Sequence, residues 1–339
     1  MSKEFNLAVF VGRFSPPHLG HLKVVETALE HADRVLVLAG SANRSRSIRT
    51  PFTVEERIDM FERMLGKLLG RVSVEALDDF MYNDYAWNAK VVSLVSMYAS
   101  TGDRVALVGH SKDGTSYYLR EFPQWGSIAV PNFRGIDSTK IREQYLDKFT
   151  LPRDQLHGEV ATYLDEWALT AEALWIENEF ASIREYKEAW AKAPFPPTFN
   201  TVDAVVTQGG HVLLIERGDY PGLGLWALPG GFVEIHETLE DAMVRELHEE
   251  TGLKISPRTM RTCIVKRETF DDPYRSSRGR TFTRAFHVDL DKGPTAELPK
   301  VKGSSDARRA FWVPIGSIDP RQMFEDHWFI VCDMLGLTV

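Results

Sequence analysis

Residues 9–21 read Val9-Phe10-Val11-Gly12-Arg13-Phe14-Ser15-Pro16-Pro17-His18-Leu19-Gly20-His21: an apolar run, a turn rich in glycine and proline, and two histidines three positions apart. The apolar run reaches back to Phe5 and predicts a buried strand over 5–11, and the pattern that follows predicts a helix from about 19 to 31. Histidines at that spacing on a first helical turn point to one side, beside unpaired N–H groups and the positive end of the dipole, which suits polyphosphate. Gly20 lets a nucleotide approach the backbone. Imidazoles donate hydrogen bonds to phosphate oxygens as charge builds on a leaving pyrophosphate. The rival reading is a His-x-x-His metal pair, for which the supporting Cys or acidic ligands are missing nearby.

Working outward, the same alternation continues: strand 34–39, helix 54–69, strand 71–77, helix 85–99, strand 104–109. Strands alternating with helices predict a parallel sheet covered on both faces, a Rossmann-like α/β layout. Residues 155–192 have no Pro or Gly after Gly158 and predict one or two long helices. Ala193-Pro194-Phe195-Pro196-Pro197 then stops any helix, because its prolines lack backbone donors. Beyond it, strands over 202–207, 212–216, 262–267 and 284–289 and a helix over 237–251 predict an α+β fold with a mixed sheet. The reading is two domains, 1–170 and 199–339, joined by a helical and Pro-rich linker over 171–198, which suits 339 residues at about 150 per domain.

Composition removes several classes of function. Lys and Arg number 40 against 48 Asp and Glu, a net charge of −8, so a sequence-blind nucleic-acid binder is not expected. The only cysteines, Cys263 and Cys332, are too few and too far apart for a disulfide framework or zinc cluster, which points to a reducing compartment, by default the cytoplasm. The apolar run at Phe5–Val11 falls far short of the roughly 20 residues of a membrane span and lacks a signal peptide's cleavage pattern, so no membrane association is expected.

The second decisive stretch is 231–253, Gly-Phe-Val-Glu-Ile-His-Glu-Thr-Leu-Glu-Asp-Ala-Met-Val-Arg-Glu-Leu-His-Glu-Glu-Thr-Gly-Leu. On a helix, Leu239, Ala242, Met243 and Leu247 form an apolar stripe, while Glu246, Glu249 and Glu250 crowd another face. Like charges so placed repel unless a hard divalent cation joins them, with Mg²⁺ the natural candidate and Mn²⁺ the alternative. Gly252 stands where a left-handed cap belongs, and the Pro229-Gly230-Gly231 turn offers a backbone carbonyl, at Gly230, to the metal shell.

Gly231, Glu237, Arg245, Glu246, Leu247, Glu249, Glu250, Gly252 and Leu253 fill every fixed position of the Nudix box, so the second domain resembles a Nudix hydrolase. The resemblance implies cleavage of a nucleoside diphosphate linked to another moiety, with Glu246, Glu249 and Glu250 on the metal and Arg245 orienting them. Leu225–Gly231 and Phe270–Arg280 resemble the ADP-ribose-hydrolysing branch. The general base stays open among Glu237, Glu249 and Glu297.

Gly-x-Phe-x-Pro-x-His-x-Gly-His at 12–21, followed by Ile136-Asp137-Ser138-Thr139-Lys140-Ile141-Arg142, resembles the nucleotidyltransferase superfamily. Gly40–Ala42, Ser47–Arg57 and Asn83–Trp87 resemble its archaeal-type nicotinamide mononucleotide (NMN) adenylyltransferases. That likeness implies that Gly12, Phe14, Gly20, Asn83, Ser138 and Thr139 line the nucleotide site and that His18 and His21 act in transfer. It also implies that Arg13, Arg49 and Arg142 grip phosphates and that Trp87 stacks on nicotinamide; the competing reading of Trp87 is a core aromatic on an amphipathic helix. The two resemblances together match bacterial bifunctional NMN adenylyltransferase/Nudix hydrolases. They imply ATP and NMN as substrates, NAD and pyrophosphate as products, and ADP-ribose hydrolysed to AMP and ribose 5-phosphate. Alternatives are another phosphate acceptor, such as phosphopantetheine or glycerol 3-phosphate, a different Nudix substrate (NADH or an oxidised nucleotide), or one domain acting as a ligand sensor.

Overall fold

The computed structural model describes residues 3–109, 121–292, 297–304 and 306–337. The chain divides into two compact units, Met1–Glu177 and Asn178–Val339.

In the first unit, β1 (Phe5–Gly12), α1 (Leu19–His31), β2 (Ala32–Ala39), α2 (Val54–Leu65), β3 (Val72–Ala76), α3 (Asp84–Tyr98), β4 (Val105–Gly109), β5 (Gly126–Ala129), α4 (Ser138–Lys148) and α5 (Gly158–Trp167) follow one another. The sheet has the order β3-β2-β1-β4-β5, and its pairings are all parallel. β1 is buried without a break from Leu7 to Val11, as a strand covered on both faces must be. Because β2 lies on one side of β1 and β4 on the other, the strand order reverses there, and ligands of such sheets bind outside the carboxyl ends at that reversal. The residues after Gly12 occupy that position. Thr53 caps α2 in a reciprocal box with Glu56, and the helix expected to reach 69 stops at Leu65, where Gly66 takes φ +50° and a 3₁₀ turn follows.

The helical stretch after residue 155 is α5 and then α6 (Ala171–Ala189), and the units part within α6, between Glu177 and Asn178. The rest of the second unit comprises β6 (Thr198–Gln208), β7 (His211–Arg217), β8 (Trp226–Ala227), β9 (Gly230–Phe232), α7 (Leu239–Thr251), α8 (Pro257–Thr262), β10 (Ile264–Phe270), β11 (Arg280–Asp289), β12 (Ala307–Pro314) and α9 (His327–Leu335). Its sheet runs β10-β11-β6-β7-β12; β6 and β11 are parallel and the other pairings antiparallel, the mixed sheet expected. α7 starts on a Thr238 cap, ends on Gly252 at φ +59°, and buries Ala242, Met243 and Leu247 in a core with Val202, Ala204, Phe286 and Val288. Leu239, expected in that stripe, is exposed. The strand expected from 262 begins at Ile264 because Ser256 and Pro257 start α8 just before it. Among the described residues no helix is long and apolar enough to cross a membrane.

Candidate active sites

The turn after β1 is built around its two histidines. His18 caps α1: its Nδ1 accepts the Gly20 N–H at 3.1 Å, while His21 Nδ1 accepts the His18 N–H at 3.2 Å. With both Nδ1 atoms accepting from backbone, the hydrogen-bond network assigns the proton of each neutral ring to Nε2, a donor suited to phosphate oxygens. The rings stack with centroids 3.7 Å apart. No acidic residue sits in the first turn of α1 to compete with an anion.

The glycines here make room for rings. A Cβ on Gly20 would lie 2.9 Å from His18 Cε1, and one on Gly12 would lie 2.7 Å from the Phe14 ring. Phe14 is buried, with φ +50°, and packs edge-on against both His21 and Phe61. It braces His21 from within the core.

The second half of the motif meets the first. Ser138 Oγ donates to Pro16 O at 3.3 Å, and the Arg142 guanidinium donates to Ser15 O and Ile48 O at 2.9 and 3.0 Å. Asp137 caps α4 by accepting from the Thr139 N–H at 2.7 Å, so this helix start, expected as a phosphate cradle, already carries an anion of its own. Arg13 is exposed, Arg49 half-buried and Arg142 buried. Burial lowers the Arg142 pKa to about 10, and the charges of Arg13 and Arg49 push it the same way. Guanidiniums that repel one another at one place form a site made for a polyanion.

Beneath them lies Arg57, 1% exposed, which sequence reasoning treated only as part of a resembling segment. Its guanidinium donates to Arg13 O and Gly40 O (both 2.6 Å), Ser41 O (3.2 Å) and the Phe52 and Thr53 carbonyls, joining the loops that follow β1 and β2 to the start of α2. Asn83 caps α3 by accepting from Ala86 N–H. Trp87 is half-buried against the core, its ring centroid 6.3 Å from that of Phe122.

In the second unit, Arg245 organises the carboxylates. It bonds Glu237 at 2.7 and 3.0 Å, Glu246 at 2.8 Å and Glu249 at 3.1 Å. The structure therefore draws Glu246 and Glu249 onto a guanidinium, and among the described residues no three His, Cys, Asp or Glu side chains converge as a metal-holding group. Like charges separate unless a cation lies between them, and here Arg245 is the cation. Glu250 is not among the partners of Arg245: it is buried and accepts the Gly230 N–H at 2.8 Å. Burial, opposed by that N–H and assisted by Glu246, pushes its pKa up to about 8; burial also raises Glu246. Gly231 lies against the Glu246 carboxylate with no space for a Cβ, and Gly230 lies against the Val202 carbonyl. Of the three candidate bases, Glu237 and Glu249 are both bound to Arg245, Glu237 half-buried and Glu249 exposed on α7, and Glu297 is exposed.

Behind this face is a polar layer without a pattern legible in sequence. Arg275, expected in a substrate loop, is buried in a two-pronged pair with Asp326 at 2.9 and 3.0 Å. His327 Nδ1 accepts the Leu228 N–H at 2.9 Å, which holds the turn leading to Gly230.

Residues 197–333 match the NUDIX domain family and residues 9–144 the cytidylyltransferase-like family. A nicotinamide/nicotinic acid mononucleotide adenylyltransferase of Acinetobacter baylyi is 34% identical over 146 residues, covering 42% of this chain and 77% of that protein. An ADP-ribose pyrophosphatase of Methanocaldococcus jannaschii is 35% identical over 134 residues, covering 40% and 71%. A crystal structure of a bifunctional NMN adenylyltransferase/ADP ribose pyrophosphatase from Francisella tularensis, complexed with AMP and a Mn ion, superposes with a TM-score of 0.93 at 33% identity, over 98% of this chain and 99% of that one. With both domain families matched on one chain and that likeness running its full length, the protein belongs to the family of bifunctional NMN adenylyltransferase/ADP ribose pyrophosphatases.

Proposed function

We propose that the first unit transfers the adenylyl group of ATP to NMN, giving NAD and pyrophosphate, and that the second hydrolyses ADP-ribose to AMP and ribose 5-phosphate. The observation that carries this is the pairing of a histidine and arginine cluster at the reversal point of a parallel sheet with a complete carboxylate helix on the same chain.

In the first reaction an NMN phosphate oxygen forms a bond to the α-phosphorus of ATP as the bond to the β-phosphate oxygen breaks. The acceptor is its own nucleophile, so alignment and charge neutralisation are the work of the site. His18 and His21 donate through Nε2, and Arg13 and Arg49 supply charge from beside them. Arg142 holds the Ser15 and Ile48 loops that shape the site.

In the second reaction water adds to a phosphorus of the diphosphate and the bridging P–O bond breaks. Glu246, Glu249 and Glu250 fit a hard divalent cation: they are oxygen donors on one helix, and burial first, with neighbouring carboxylates adding to it, raises the pKa values of Glu246 and Glu250. Bound there, Mg²⁺ or Mn²⁺ would polarise the phosphoryl oxygens and lower the pKa of water. Arg245 is placed to hold Glu246 and Glu249 in reach, and the Gly230 amide fixes Glu250.

Incubation with NMN plus ATP, and separately with ADP-ribose, each with Mg²⁺, and chromatography of the products tests both halves. NAD in the first and AMP in the second are expected, and absence of either overturns that half. Trp87→Ala tests the nicotinamide platform. Loss of one stacking partner is worth about 1–3 kcal/mol, so the KM for NMN should rise about tenfold or more while that for ATP hardly moves. Equal effects on both substrates would return Trp87 to the core beside Phe122.

A further inference from the structure

Glu179 lies on α6, upstream of residue 197 where the NUDIX match begins, and it is 4% exposed. Its Oε2 accepts the Gly222 N–H at 2.7 Å in a buried bond. Gly222 adopts φ +82° and abuts Phe324 with no space for a Cβ, so this turn has little freedom to relocate. The turn closes on itself: Leu225 N–H donates to Gly222 O, Gly224 N–H to Arg217 O and Arg217 N–H to Leu225 O, each at 2.9 Å, while Arg217 Nε donates to Pro221 O at 2.7 Å. Arg217 stacks over Phe324 at 4.3 Å. From Leu225 the chain runs directly through β8 to Leu228, Pro229 and Gly230, whose N–H holds Glu250.

We propose that Glu179 is a positioning residue of the hydrolase: by clamping Gly222 it fixes the turn that delivers the Gly230 amide to Glu250. The proposal rests on the hydrolase reading above. It makes α6 a working part of that site although no residue of α6 belongs to the Nudix box. Burial pushes the Glu179 pKa up to about 7, against the Gly222 N–H, which lowers it. A carboxyl that gives up its charge so readily serves as a hydrogen-bond acceptor, and an amide oxygen can take the same N–H.

The test uses the full chain. Mn²⁺ binding without nucleotides is followed by loss of the free-ion EPR signal, alongside steady-state ADP-ribose hydrolysis and NAD synthesis. Glu179→Met keeps the volume and removes the acceptor, with Glu179→Ala as the second variant should the first not fold. The acceptor-less chain should need about tenfold more metal for half-saturation, in binding and in hydrolysis, with NAD synthesis unchanged. Glu179→Gln should restore the wild-type curve. Wild-type metal binding in a folded acceptor-less variant, or equal impairment in the Gln and acceptor-less variants, overturns the clamp. A wild-type chain inactive on ADP-ribose, whose Mn²⁺ binding is still weakened by the Met variant, overturns the substrate reading and supports the role of Glu179.

Discussion

Glu250→Gln should lower ADP-ribose hydrolysis by about a thousandfold, the ~4 kcal/mol of transition-state charge stabilisation expected from one anionic metal ligand, and leave NAD synthesis at the wild-type rate. Glutamine keeps the shape and can still accept the Gly230 N–H, so packing survives while the charge is lost. The same variant should change how stability depends on pH when metal is removed. The Glu250 carboxyl is raised from 4.5 to about 8, chiefly by burial. The folded chain therefore keeps a proton there that the unfolded chain releases from about pH 4.5 upward, and stability that is full below that pH is lost as pH rises through about 8. Glutamine has no proton to lose. The variant should lose the Glu250 part of the slope across the whole window from about pH 4.5 to 8, keeping only the part that belongs to Glu179, which ends near pH 7. Thermal melts in chelator from pH 5 to 9 read this directly; a variant that loses stability between pH 7 and 8 as steeply as the parent would contradict the burial of that charge.

His21→Ala should cut NAD formation by about a hundred- to a thousandfold while ADP-ribose hydrolysis is unchanged, because the imidazole acts on charge that appears only as pyrophosphate departs. The loss should fall on kcat more than on the KM for ATP. Alanine also removes the acceptor of the His18 N–H, and loss of a cap costs about 1 kcal/mol, so a small fall in Tm should accompany the kinetic effect. Steady-state kinetics with NMN and ATP, with hydrolysis as the internal control, checks both. Near-wild-type synthesis would remove His21 from the mechanism.

The parts of the molecule that sequence made legible share a reason. β1 reads as a strand because a buried central strand is apolar at successive positions, and α7 reads as a helix because its stripe and end glycine agree. β5 escaped because four residues with one buried side chain carry no period, and α9 because a helix buried nearly all round has no stripe. The same division runs through the sites. Histidine spacing and carboxylate spacing are visible along the chain, but their partners are not. Arg57 bonds only to carbonyls, which every residue has, so no pairing rule in the sequence points to it. Glu179 stands on a helix that also carries Glu172, Glu177, Glu185 and Glu188, and nothing local distinguishes the buried one. Arg275 reads as a loop cation because its partner, Asp326, is fifty-one residues away.

Gly231 shows what such hidden constraints do to the meaning of a fixed motif position. Its φ is not positive, so its backbone does not require glycine, and what a side chain here would have to move is the Glu246 carboxylate occupying that volume. The cost of a substitution here is therefore set by a residue fifteen positions later in the chain. An alanine here would displace Glu246 and be mistaken, in a mutational survey, for loss of a metal ligand. The way to tell them apart is compensation: shortening the displaced side chain, with Glu246→Asp in the Gly231→Ala background, should recover part of the hydrolysis that alanine removes, whereas a glycine kept for its backbone would gain nothing from it.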